Sequence, residues 1–197
     1  FVTFEEESVY YADIAQDYAD IFLPEFLPAG RVIWSSQTTG YYAKQCQDKN
    51  STVSGMKARG CTVSEGTGYG MLLTYFNGDE DAFIRLWNYS RAYRAYNSTS
   101  TVPVYLTPWI TFSFHYNEID NSSATDADLD IATSLVLMYY KTLNQAYLAD
   151  ALNIIGAIWD HEVNKTSPLP LSGDTPRWAG STGPLVSNLS PPSPLAL

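Results

Sequence analysis

Two short acidic stretches carry the residues with the most chemical potential. In Ser64-Glu65-Gly66-Thr67-Gly68-Tyr69-Gly70-Met71 a single carboxylate stands among glycines beside a tyrosine. In Ser123-Ala124-Thr125-Asp126-Ala127-Asp128-Leu129-Asp130-Ile131-Ala132 three carboxylates alternate at the mouth of an apolar run. Hydrolysis of a glycosidic bond needs two carboxyl groups, one of them held protonated to hand its proton to the leaving oxygen. Glu65 suits that donor role, because glycines let a sugar ring approach the backbone. The apolar flank from Tyr69 to Leu73 would also desolvate its carboxyl, which favours the protonated form. The plainer reading is that Glu65 serves the start of the following helix, where an acid meets the positive end of the helix dipole.

Asp126, Asp128 and Asp130 occupy the first turns of the later helix, and alternate positions do not share one helix face. Asp126, nearest the open end, is placed to accept hydrogen bonds from sugar hydroxyls or simply to stabilise the helix start. Asp128 reads as the capping-box acid after Thr125. Asp130 reads as a partner for a neighbouring helix. A calcium loop would require a turn glycine and a later glutamate, which this context lacks, and no metal or other cofactor is expected.

These residues need elements to hold them, and the periodicity supplies mostly helices. Val9, Ile14, Tyr18, Ile21 and Phe22 predict a helix over residues 6–23. Gly68 to Phe76 reads as a buried helix ended by Asn77-Gly78, after which Asp79 caps a helix with Phe83, Leu86, Trp87 and Tyr93 on its inner face. Thr125 is the expected cap of a helix running to about Leu143. Leu148, Leu152, Ile155 and Trp159 mark a last one. Two long connections, 31–63 and 97–123, read as loops. Short links join helices in pairs and long loops join the pairs, so the fold class is all-α, built of helical hairpins. Seven of the eleven prolines lie between Pro168 and Pro194, so residues 1–165 read as the helical domain and 166–197 as an irregular, extended tail.

At 197 residues and 45% hydrophobic content, the chain can bury one ordinary core. Its net charge of −10 argues against nucleic acid and against an anionic membrane surface. No apolar run approaches the roughly 18 residues of a membrane span. A neutral polysaccharide is compatible with that charge. Six of the ten asparagines sit in Asn-x-Ser/Thr sequons, at Asn50, Asn88, Asn97, Asn121, Asn164 and Asn188. That excess points to N-glycosylation and a secreted, extracellular protein, against the alternative of chance matches in a Ser/Thr-rich chain. Cys46 and Cys61 flank a polar loop. A disulfide between them fits an oxidising compartment and would stabilise by about 3 kcal/mol, the alternative being two free thiols.

The run Thr62-Val63-Ser64-Glu65-Gly66-Thr67-Gly68-Tyr69-Gly70-Met71-Leu72-Leu73, then Leu86-Trp87, Leu106-Thr107-Pro108-Trp109 and Asn121 to Ala132, resembles glycoside hydrolase family 8 in order and spacing. The family contains endoglucanases, xylanases and chitosanases. The resemblance covers roughly residues 1–165 and implies the N-terminal portion of an (α/α)6 barrel, here an incomplete toroid. It implies hydrolysis of β-1,4-linked chains with inversion, on cellulose or β-glucan, with xylan or chitosan as other members' substrates. It makes Glu65 the general acid and Asp126 the residue that grips and distorts the sugar, with Tyr69 beside the acid and Trp109 along the cleft.

The family's general base lies in its second half, and nothing in this chain corresponds to that half. Inversion requires a second carboxylate roughly 6.5–9.5 Å from the acid, and Asp160, Glu162 and Asp174 sit in no matching motif. Three readings therefore compete. The first is a hydrolase of which this chain is the N-terminal part, completed by more sequence or by a second chain. The second is a non-catalytic secreted glycoprotein of the same ancestry that binds carbohydrate or assembles with itself. The third is a helical secreted domain whose resemblance reflects ancestry alone.

Overall fold

The computed structural model describes residues 31–32, 51–53, 56–58, 61–92, 105–112 and 117–174. The expected helix over 6–23, Tyr93, Cys46 and the sequons at Asn50, Asn97 and Asn188 lie outside these residues. Asn121 is described in its backbone only.

Both long connections contain strands, which departs from the reading of them as loops. In the first, β1 (Ser51–Val53) and β2 (Met56–Ala58) form an antiparallel hairpin, followed by β3 (Cys61–Val63). The second contains β4 (Pro108–Phe112) and β5 (Asn117–Ser123). β4 lies between β3 and β5 and is antiparallel to both, with Val63 opposite Ile110 and Pro108 opposite Ser123. Trp109, Ile110, Thr111 and Phe112 are the branched and aromatic types that fit a pleated surface. The strands are too short for their alternation to stand out from a loop rich in the same residues.

The sheet matters because β3 and β5 run parallel and each feeds directly into a helix. α1 (Ser64–Phe76) starts immediately after β3, and α3 (Thr125–Thr142) starts one residue after β5. Glu65 and Asp126 therefore sit in the first turns of two helices launched from one small sheet. α1 begins four residues earlier than the sequence predicts, taking the glycine-rich stretch into the helix. Glycine is a poor helix former, so packing against α3 and not local propensity holds that turn. At the other end Gly78 adopts φ 71°, its N–H reaching the Tyr75 carbonyl and the Asp79 N–H that of Thr74, an arrangement that closes the helix.

α2 (Glu80–Ala92) returns antiparallel, its start capped by Asp79 Oδ1, which accepts from the Ala82 N–H at 2.9 Å as expected. α3 ends at Leu143, held in the left-handed region at φ 58°, and Asn144 then caps α4 (Gln145–His161) by accepting from the Ala146 N–H. α1–α2 and α3–α4 are the two expected hairpins. Met71, Phe83, Leu86, Leu106, Ile131, Leu135, Met138 and Ile154 form their shared core, each fully buried. Trp87 Nε1 donates to Asp150 Oδ2 at 2.7 Å and ties α2 to α4.

On α4 the helical period is as expected, but the residues that marked it do not form the buried face. Tyr147, Ala151, Ile154, Ala157 and Ile158 face the core. Leu152, Ile155 and Trp159 remain 58, 45 and 56% exposed. The helix is apolar on both sides, so periodicity alone could not choose between them. Residues 166–174, though irregular, do not trail away: Val163 bridges Pro170, and Leu171 N–H donates to the Glu162 carbonyl at 2.7 Å.

Candidate active site

Glu65 is the second residue of α1 and half-buried. One turn on, the Tyr69 hydroxyl donates to Glu65 Oε1 at 3.0 Å. Burial, then that hydrogen bond and the negative charges of Glu65, Asp130 and Asp126, push the Tyr69 hydroxyl up to about 12. It therefore stays protonated and remains a donor, fixing the direction in which the Glu65 carboxyl faces.

Asp126 is the second residue of α3, half-buried, with Oδ1 accepting from the Ala127 N–H at 2.9 Å. Asp130 lies one turn below it on the same side, 7% exposed. Its carboxyl is pushed up to about 6 by burial first, then by the charges of Asp126 and Glu65. The crossing of α1 over α3 explains why Asp130 reaches this place. A Cβ on Gly68 would lie 2.9 Å from Asp130 Cβ and 3.3 Å from the Ala127 carbonyl oxygen, so the helices touch through a position only glycine fills.

Glu65, Tyr69, Asp126 and Asp130 thus form one acidic cluster at the paired helix starts. The three aspartates do not all serve one site, as expected: Asp128 binds elsewhere, while Asp126 and Asp130 both belong to the cluster. Asp126 and Asp130 are four residues apart, and that spacing was the signal available in the sequence. Asp128 is fully buried, and its Oδ1 accepts from the Thr107 N–H at 2.9 Å, pinning the approach to β4. It therefore spans to another segment and forms no capping box. The residue preceding α3 is Ala124, in extended conformation and without a side-chain cap, so Thr125 stands inside the helix and does not cap it.

Trp109 is half-buried on β4, between the two strands that launch α1 and α3, and packs, as Val63 does, against the buried pair Cys61 and Ile110. This places it in the sheet between the two acidic stretches. Among the described residues no group of three His, Cys, Asp or Glu side chains is arranged to hold a metal ion.

The chain is similar to proteins with a shared description. Endoglucanase C of Ruminiclostridium cellulolyticum is 35% identical over 125 residues, covering 61% of this chain and 25% of that protein. A beta-glucanase of Niallia circulans is 33% identical over 149 residues, covering 72% of this chain and 34% of the relative. In three dimensions the fold matches an endoglucanase from Komagataeibacter sucrofermentans with a TM-score of 0.60 at 28% identity. That match covers 82% of this chain and 44% of the other. The chain therefore spans a quarter to a third of the curated relatives' length, and its hairpins form part of an (α/α)6 toroid. The model for glycosyl hydrolases family 8 matches residues 42–183, across both acidic stretches and the sheet between them, and the chain belongs to that family.

Proposed function

We propose that this chain supplies the acid-bearing part of an endo-acting hydrolase of β-1,4-linked glucan that cleaves with inversion. The observation that carries this reading is the convergence of Glu65, Tyr69, Asp126 and Asp130 at two helix starts launched from one sheet. Glu65 donates the proton to the leaving oxygen, directed by the Tyr69 hydroxyl. Asp126, at the rim, accepts from sugar hydroxyls, and Trp109 offers an aromatic face along the cleft. Asp130 adds a buried carboxyl beside the acid that holds its proton up to about pH 6. The base that activates water belongs to the part of the toroid beyond this chain's span. That part packs on the exposed row of Leu152, Ile155 and Trp159 along α4.

The protein acts outside the cell as a disulfide-bonded glycoprotein in this reading. Asn88 is exposed on α2. Asn164 Oδ1 accepts from the Thr166 and Ser167 N–H groups at 2.9 and 3.3 Å. A glycan on Asn164 Nδ2 leaves that turn intact, since among the described residues the turn engages the oxygen.

The test is release of reducing ends from carboxymethylcellulose, mixed-linkage glucan, xylan and chitosan by the native protein long enough to close the toroid, with Glu65→Gln in that same protein beside the parent. Activity on the glucans that falls about 10²–10⁴-fold in the variant supports the reading. A native protein that extends through the whole toroid, binds these polymers and releases nothing from any of them supports the non-catalytic glycoprotein instead. The mass of the native protein before and after deglycosylation reads both its full length and its glycans.

A further inference from the structure

Glu162 and Asp174 have no part in the acidic cluster, yet the fold brings both to the turn that launches α3. Glu162 follows α4 directly and is fully buried. The Ser123 hydroxyl, also fully buried, donates to Glu162 Oε1 at 2.5 Å. That same Oγ accepts from the Asp174 N–H at 3.2 Å, while the Ser123 N–H donates to Asp174 Oδ1 at 2.9 Å. Two residues on, the Thr125 N–H donates to the Ser172 carbonyl at 3.2 Å. A strap of chain from Glu162 to Asp174 therefore grips Ser123 and Thr125, and the next residue is Asp126.

We propose that Glu162 and Asp174 are positioning residues for Asp126, acting through Ser123 to fix the turn between β5 and α3. The inference rests on the reading that Asp126 holds sugar. A carboxylate at the rim of a cleft orients a hydroxyl only if its own backbone is fixed, and a first helical turn with no side-chain cap is otherwise free to fray. Burying a carboxyl to hold a serine hydroxyl is an expensive way to tie down a loop, which argues for a need at this turn. The groups acting on Glu162 agree with that cost. Burial pushes its carboxyl up to about 7, the Ser123 and Thr125 hydroxyls oppose the rise, and the charges facing it, Asp174 on the strap and Asp126 on α3, are both negative and add to it. The proton on Glu162 is thus part of the lock: ionised, it would place a third negative charge beside Asp174 and Asp126.

Amide hydrogen exchange tests the lock without requiring catalysis. Asp174→Ala and Ser123→Ala are expected to speed exchange at residues 123–128 about tenfold or more while the amides of α2 keep their protection. Glu162→Gln, which keeps the shape and cannot ionise, should behave as the parent at pH 5.5. It should also lose the loosening that the parent shows toward pH 8. Titration with cellohexaose gives the second readout. Asp126→Asn and Asp174→Ala each weaken binding about tenfold, and the double variant is no weaker than either, as expected when one residue acts through the other. Unchanged exchange at 123–128 in both Asp174→Ala and the milder Asp174→Asn overturns the inference. So does cellohexaose affinity that falls in Asp126→Asn and not in Asp174→Ala, with the sugar reading left standing. If affinity is indifferent to Asp126 itself, the reading of Asp126 fails, and this inference falls with it even where exchange shows the strap to be tight.

Discussion

Tyr69 and Asp130 are the residues that would separate the proposed acid site from two carboxylates that happen to begin helices. A capping role for Glu65 would be indifferent to what stands one turn further on, whereas an acid that must face a leaving oxygen depends on whatever orients it. Tyr69→Phe removes the 3.0 Å hydrogen bond and little else. We expect kcat on soluble glucan to fall about tenfold with KM nearly unchanged, the pattern of an interaction used in the transition state. A KM effect alone would make Tyr69 a stacking platform for the sugar. Asp130 bears on pH. Its folded-state value is raised from 3.8 to about 6, so the folded protein holds this proton more tightly than the unfolded chain does. The stability from that preference is present below about pH 4 and lost as pH rises through about 6. Asp130→Asn cannot ionise and escapes the loss. Its melting temperature at pH 7 should exceed the parent's by roughly 2–4 °C, with the two curves converging near pH 4. Parallel curves across that range would remove Asp130 from the electrostatics of the site.

The helix crossing sets how close these carboxyls come, and glycines on two helices report it with opposite signs. At Gly68 an added methyl meets Asp130 Cβ at 2.9 Å and the Ala127 carbonyl at 3.3 Å, neither of which lies at the end of a flexible chain. Gly68→Ala should separate α1 from α3 and destabilise by about 1–3 kcal/mol, outweighing the gain in helix propensity. Gly156, on α4, has nothing within 4 Å of the same methyl, so Gly156→Ala should stabilise by about 0.5–1 kcal/mol. Thermal melts of the two variants check both signs. The elements themselves were unequally legible in the sequence. Asn77-Gly78, Asp79 and Asn144 marked helix ends because each is a local backbone requirement, met by one residue type. The start of α1 at Ser64 was hidden, since Gly66, Gly68 and Gly70 signal a loop until a partner helix lies against them. The strands β3 to β5 were hidden for the same kind of reason: three to seven residues in a register set by one another carry little pattern singly. Asp128 read as a cap because its neighbours suggested one, but its partner, the Thr107 backbone, is distant in sequence.

At the scale of the whole molecule, the two faces of α4 decide what surrounds this chain. Ile154 and Ala151 are fully buried, so polar substitutions there should abolish folding, as for any core position. Leu152, Ile155 and Trp159 lie 58, 45 and 56% exposed along the opposite side, a row spaced as a helix would present it to a neighbour. A monomer of this size seldom leaves such a row uncovered, and the matching endoglucanase structure extends well past the 44% that this chain covers. In the 197-residue chain alone, Leu152→Lys with Trp159→Glu should shift the melting temperature by no more than about 2 °C, because neither side chain leaves a packed site. The parent is expected to associate with rising concentration in sedimentation velocity, and the pair to remove that association. In a protein long enough to close the toroid, the same pair should lower stability by about 2–4 kcal/mol, since both side chains would then be core. Equal and small effects in the two contexts would mean that the row faces solvent in the complete protein, and that the remainder of the fold packs elsewhere.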